Sequence, residues 1–162
     1  MSYDPILPVR KNLRLREFDY STPGAYFVTI CAFDRRMIFG SVVDGQVHPS
    51  TAGELAIGCW HEIPSQWPGV ELDALVVMPN HIHAILLFIE GDVKVPSLGR
   101  VMHWYKAKVT KAVRRVRKDP VLTIWQEKFH DHVVRDEPDL ERIRAYIELN
   151  PGRWSEDEYY RS

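Results

Sequence analysis

A chain of 162 residues, 45% apolar and 11% aromatic, is the size of one domain with its own core, which excludes disorder and sets the expectation of a single domain over 1–162. No apolar run reaches the roughly 18 to 20 residues that span a bilayer, and the opening stretch lacks the continuous apolar core of a secretory signal, so a cytoplasmic protein without membrane contact is expected. The formal charge of −1 hides a separation: from Arg100 to Lys118 the charges are all basic, whereas acids dominate from Asp136 onward, and a near-neutral protein of this kind can still offer a phosphate backbone one basic face.

In chain order, residues 1–20 read as a basic, irregular segment and 21–24 (STPG) as a turn cluster. Residues 25–34 (AYFVTICAFD) are rich in β-formers and read as a buried strand. Within it Cys31 reads as core; Cys31 and Cys59 stand too far apart, and outside any CxxC, to suggest a disulfide framework or a cysteine zinc site. A hairpin over 37–47 follows, turning at Asp44-Gly45. Thr51 with Glu54 has the form of a capping box, opening a helix expected to run to Gln66 before Pro68-Gly69. Residues 71–78 and 81–90 read as two strands joined tightly through Pro79-Asn80. Residues 97–118 read as a basic amphipathic helix whose apolar positions include Leu98, Val101, Ala112 and Val116. Residues 123–135 have strand character, 136–150 form a last helix stopped by Pro151 and Gly152, and 155–162 make an acidic tail. Helices alternating with strand pairs define an α+β class close to a ferredoxin-like sandwich, its central antiparallel sheet carrying the His-x-His pair described next.

The sharpest local feature is MPNHIHAIL at 78–86. On a strand His81 and His83 project from the same face while Ile82 enters the other layer, so the two imidazoles form either a metal half-site with open positions or simply the solvated start of a strand. His130 and His132 repeat the spacing around a charged Asp131, which leaves open a structural zinc site built from both pairs. Trp104 and Tyr105 among Lys106, Lys108, Lys111, Arg114 and Arg115 suit single-stranded nucleic acid, where bases stack on rings and cations track phosphates. A solvated helix face explains the same charges, and Arg35-Arg36 either join that groove or decorate a turn. Tyr146 lies at the edge of the stripe formed by Leu140, Ile143 and Ile147, and Asn150 follows four residues on, but spacing alone does not single it out among seven tyrosines.

Four segments in order resemble the HUH single-tyrosine transposases, a family that includes insertion-sequence and REP-associated members: GAYFVT at 24–29, VVMPNHIHAILLF at 76–88, IWQEKFHDHVVRD at 124–136 and RAYIELNPGRW at 144–154. The resemblance runs from about Arg10 to Trp154 and is strongest to the REP-associated branch. It implies that His81 and His83 bind Mg²⁺ or Mn²⁺ and that Tyr146 is the catalytic nucleophile. Asn150 falls where insertion-sequence members carry a glutamine in the metal shell, one methylene longer. His132 looks like a recurring family position and His130 a variable one. The implied activity is cleavage and rejoining of single-stranded DNA with hairpins through a 5′-phosphotyrosine link, by a monomer or homodimer. A hairpin binder without catalysis and a structural zinc protein are the alternatives.

Overall fold

The structure, a computed structural model, describes residues 24–89 and 95–161. Its strands are β1 (Gly24–Cys31), β2 (Gly40–Val43), β3 (Gln46–Pro49), β4 (Val70–Met78), β5 (His81–Phe88) and β6 (His130–Val134). Its α-helices are α1 (Thr51–His61), α2 (Ile63–Gln66), α3 (Leu98–Arg117) and α4 (Glu137–Leu149), followed by a 3-10 segment, Pro151–Glu156. β4, β5, β1 and β6 lie side by side in that order, every pair antiparallel. Because α1 lies between β1 and β4, and α3 between β5 and β6, two split β-α-β units interleave in the sheet. That is the expected ferredoxin-like sandwich.

Period-two alternation divides the sheet into two faces. Tyr26, Val28 and Ile30 of β1 and Ile82, Ala84 and Leu86 of β5 pack with Trp60 of α1 and Leu98, Val101, Met102, Tyr105, Val109 and Val113 of α3 in the main core. Tyr105 donates its hydroxyl to the Ala56 carbonyl (2.9 Å), joining α3 to α1. On the other face Phe27 and Ile85 meet Ile143, Tyr146 and Ile147 of α4, while Cys31 and Met78 meet Trp154 and Tyr159. His81 and His83 belong to this second face, since Ile82 and Ala84 fill the first.

Several expected boundaries shift for local reasons. Ser50, rather than Thr51, caps α1 by accepting the Gly53 N–H (3.1 Å), and a Cβ on Gly53 would meet the Phe39 carbonyl oxygen at 2.1 Å. That close approach is why glycine stands in the first turn. The helix expected to reach Gln66 ends at His61, and α2 begins anew around Pro64, which has no N–H to continue a ladder. The hairpin starts at Gly40 and ends at Pro49, displaced toward the C-terminus from the expected 37–47, but it turns at Asp44 and Gly45, both at positive φ as a type I′ turn requires. Of 123–135 only His130–Val134 is strand, with Trp125 bridging Ala32. Val116 is 52% exposed rather than core, because the buried stripe of α3 runs through Val109 and Val113. Cys31 is core as expected. The basic segment 1–20 and the turn residues 21–23 lie outside the described residues.

α4 is tied down at two points, one at each edge strand of the sheet. Near its start Asp136 accepts the Asp139 N–H (2.9 Å), and the Asp139 carboxylate accepts from His132 Nε2 on β6 (2.9 Å), from the Arg135 N–H (3.1 Å) and from Arg142. Further along, Arg144 grips Asp73 with both prongs (2.8 and 2.6 Å). Asp73 lies where a bulge between Leu72 and Leu75 breaks the β4–β5 register, the sort of irregularity that re-aims a side chain. Asp139, Ile143 and Tyr146 are buried on α4 at helical spacing, so anchoring Asp139 also fixes which way Tyr146 points.

This anchor has a measurable signature. Burial pushes the Asp139 carboxyl up, but the hydrogen bonds from His132, the Arg135 N–H and Arg142 outweigh it and hold it at about 2. A carboxyl lower in the folded than in the unfolded chain contributes stability that is complete above pH about 4 and lost as pH falls through 2, here worth about 2 kcal/mol. Urea titrations should find Asp139→Asn about 1–3 kcal/mol less stable at pH 7, with the gap to wild type closing between pH about 4 and 2. A gap that is independent of pH contradicts the assignment.

Candidate active site

The tight turn at Pro79-Asn80 begins the site by presenting His81 as the first residue of β5. Asn80 Nδ2 donates to the carbonyls of Arg35 (3.3 Å) and Tyr159 (2.7 Å), so its Oδ1 accepts from His81 Nδ1–H (2.8 Å). That tautomer places the His81 lone pair on Nε2. Opposite His83 in the sheet stands Thr29, whose Oγ1 is 2.8 Å from His83 Nδ1. Both Nε2 atoms are buried and make no hydrogen bond, and Asn150 Oδ1 is a third buried polar atom without one. Burial, then the neighbouring His83, holds the His81 imidazole well below the usual histidine range; burial, then His130, holds His83 at about 3. Both rings are therefore neutral at physiological pH, the form that ligates a metal.

The two imidazoles meet edge to face, ring centres 4.6 Å apart, and Tyr146 comes down from α4 with its ring 5.3 Å from that of His83. Asn150, the cap of α4, is buried and close enough to His81 to favour its charged form. The supposed acidic tail folds back over the pair. Trp154 and Tyr159 lie with ring centres 6.0 and 4.4 Å from His81, and Asp157 Oδ2 lies 3.6 Å from His81 Nε2. One donor atom from each of His81, His83 and Asp157 falls within 4.8 Å of the others. Two neutral imidazole nitrogens and a carboxylate oxygen are a donor set that fits a divalent metal ion.

Sequence reasoning missed Asp157, whose run of acids looks like a solvated end. The available signal was the aromatic bracket of Trp154 and Tyr159, both buried, on either side of it.

Other expected site residues lie elsewhere. Arg35 is at the site, its guanidinium 5.4 Å from the centre of the Tyr159 ring, while Arg36 covers Phe33 at 5.3 Å. Lys106, Lys108, Lys111, Arg114 and Arg115 ride on α3, which packs against the opposite face of the sheet, so they share no groove with Arg35. Lys106 is committed to the carbonyls of Gln126 and Glu127, Arg114 to that of Leu122 and Lys108 to Glu62, whereas Lys111, Arg114, Arg115 and Lys118 line a groove of about 700 Å³. The four-histidine zinc arrangement does not form among the described residues. His132 is bound to Asp139, and β1 separates His130 from His83. No helix among the described residues is long and apolar enough to cross a membrane.

A ferredoxin-like sheet whose central strand carries two buried imidazoles beside a carboxylate, with a helix-borne phenol against them, is the arrangement that the comparisons with known proteins must match. No family model matches the chain. An uncharacterized protein of Haemophilus influenzae is 31% identical to it over 169 residues, 93% of each chain, and a second protein of that organism, named among the REP-associated tyrosine transposases, is 24% identical over 82% of this chain and 73% of its own. The solved structure of a REP-associated tyrosine transposase bound to a REP hairpin shares the fold, with a TM-score of 0.65 and 22% identity over 87% of this chain and 73% of that one. The chain belongs to the HUH single-tyrosine transposase family.

Proposed function

We propose that this protein is a REP-associated type of transposase that cleaves and rejoins single-stranded DNA beside hairpins, with Tyr146 as nucleophile and a divalent ion held by His81, His83 and Asn150. The approach of the Tyr146 ring to within 5.3 Å of His83, beside two buried and unpartnered Nε2 atoms, is the observation that carries the reading. Attack by the Tyr146 hydroxyl forms an O–P bond as the bond from phosphorus to the 3′-oxygen breaks. The phenol gives up a proton and the departing 3′-oxygen gains one, so the products are a 5′-phosphotyrosine and a free 3′-hydroxyl. Reversal on a second 3′-hydroxyl joins strands without a nucleotide triphosphate. A bound divalent ion supplies Lewis-acid polarisation of a non-bridging phosphate oxygen. Nitrogen donors favour Mn²⁺ over Mg²⁺ as that ion.

The chain's own residues do the rest. Asn80 and Thr29 hold the imidazole rings, and α4, braced by Asp139 and Arg144, holds the phenol. Arg35 is suited to a phosphate at the site. The α3 groove with Lys111, Arg114 and Arg115 is suited to backbone phosphates of the hairpin away from the cleaved bond, and Arg36, Lys106 and Lys108 add positive charge.

Incubation with single-stranded hairpin oligonucleotides and Mn²⁺ should give a protein–DNA adduct that survives denaturation, and excess EDTA should remove it. The alternative of binding without catalysis draws on the burial of the site, with His81, His83 and Tyr146 at 0%, 2% and 9% exposure. Hairpin binding with no adduct under any divalent metal would establish that alternative.

A further inference from the structure

We infer that Asp157 is an anionic ligand of the metal site, so that the C-terminal turn is part of the metal centre and not a covering laid over it. The inference rests on the metal-dependent reading above. His81 Nδ1–H is spent on Asn80, whose amide is fixed in turn by two backbone carbonyls, so the atom facing Asp157 is a lone pair. A lone pair and a carboxylate oxygen lie 3.6 Å apart, with side chains 0% and 2% exposed, an arrangement that a cation held between them would stabilise. His83 Nε2 brings a second buried lone pair to the same place, within 4.8 Å of both.

The carboxylate is aimed by its own turn: Asp157 Oδ1 accepts the Tyr159 N–H (2.8 Å), and Oδ2 faces His81. Trp154 and Tyr159, buried on either side of it, hold the segment against the sheet. Chemistry points the same way. His81, His83 and Asn150 make a neutral donor set, whereas Mg²⁺ and Mn²⁺ prefer anionic oxygen, and two histidines with one carboxylate leave positions open for a phosphate. A protonated His81 paired with Asp157 is the rival arrangement. It requires a charge on a fully buried ring, and 3.6 Å is longer than a charge-assisted hydrogen bond.

Calorimetric titration of the full chain with Mn²⁺ tests the inference, using Asp157→Asn and, as a control on the same segment, Glu158→Gln. Wild type should bind one equivalent, Asp157→Asn should bind at least about ten-fold more weakly, and Glu158→Gln should stay within about two-fold. Melting in EDTA verifies that Asp157→Asn is folded. Hydrogen exchange on the wild type needs no variant: Mn²⁺ should slow exchange of the Tyr159 amide. Equal Mn²⁺ affinity in Asp157→Asn, with or without a gain in adduct, would make the turn a cover and overturn the inference while leaving the metal-dependent function standing. Unchanged Tyr159 exchange in a wild type that binds Mn²⁺ also overturns it. A wild type that binds no Mn²⁺ removes both readings.

Discussion

Tyr146→Phe is expected to abolish the covalent adduct with hairpin DNA, a loss of at least about a thousand-fold, while DNA binding stays within a few-fold of wild type. The substitution removes only the hydroxyl. The ring that packs against Phe27 and His83 remains, so the fold should lose no more than about 1 kcal/mol. The informative comparison is Tyr159→Phe. Tyr159 also lies in the site, yet burial, then the neighbouring Cys31 thiol, raises the pKa of its hydroxyl further from ionisation. Tyr159→Phe should therefore keep the adduct. Loss of the adduct in Tyr159→Phe and its survival in Tyr146→Phe would exchange the roles of the two tyrosines.

Replacing either histidine should be nearly as damaging. His81→Ala and His83→Ala each remove one of two nitrogen donors, and adduct formation at a fixed, modest Mn²⁺ concentration should fall at least about a hundred-fold. Losing a buried ring also costs stability. His81 lies between Asn80 and Tyr159, and its removal leaves Asn80 Oδ1 without its donor, so about 1–3 kcal/mol is expected. Melting in EDTA measures that cost separately, and adduct formation should be compared well below the melting point. His132→Ala serves as contrast: it weakens the α4 anchor at Asp139, so it should lower stability while leaving Mn²⁺ affinity within a few-fold. Equal metal affinity in wild type and both site variants would show that the imidazole pair is not the metal centre.

How much of this was legible in the sequence depended on the range of the interactions. The placement of His81 and His83 on one face followed from strand alternation, a local rule, and Ile82 does enter the opposite layer. The end of α4 followed from Pro151. Tyr146 was reached only through family resemblance, because its approach to His83 depends on anchors at Asp73 and Asp139 that no spacing rule reveals. Whether Arg35 shares a groove with the basic residues of α3 stays open in the sequence, because charge pattern does not disclose which layer a helix joins. That depends on which sheet face receives its apolar stripe, a tertiary choice. Asp157 was concealed for a similar reason. In composition it belongs to an acidic run, and only the packing of Trp154 and Tyr159 turns that run inward.

In the proposed reaction Tyr146 carries the DNA. Trypsin should separate the two tyrosine candidates, since cleavage after Arg144, Arg153 and Arg161 releases 145–153 with Tyr146 and 154–161 with Tyr159. Mass spectrometry of the nuclease-trimmed adduct should find the added 5′-phosphonucleotide on peptide 145–153, at Tyr146. The same mass on 154–161, or on any peptide other than 145–153, would contradict the account.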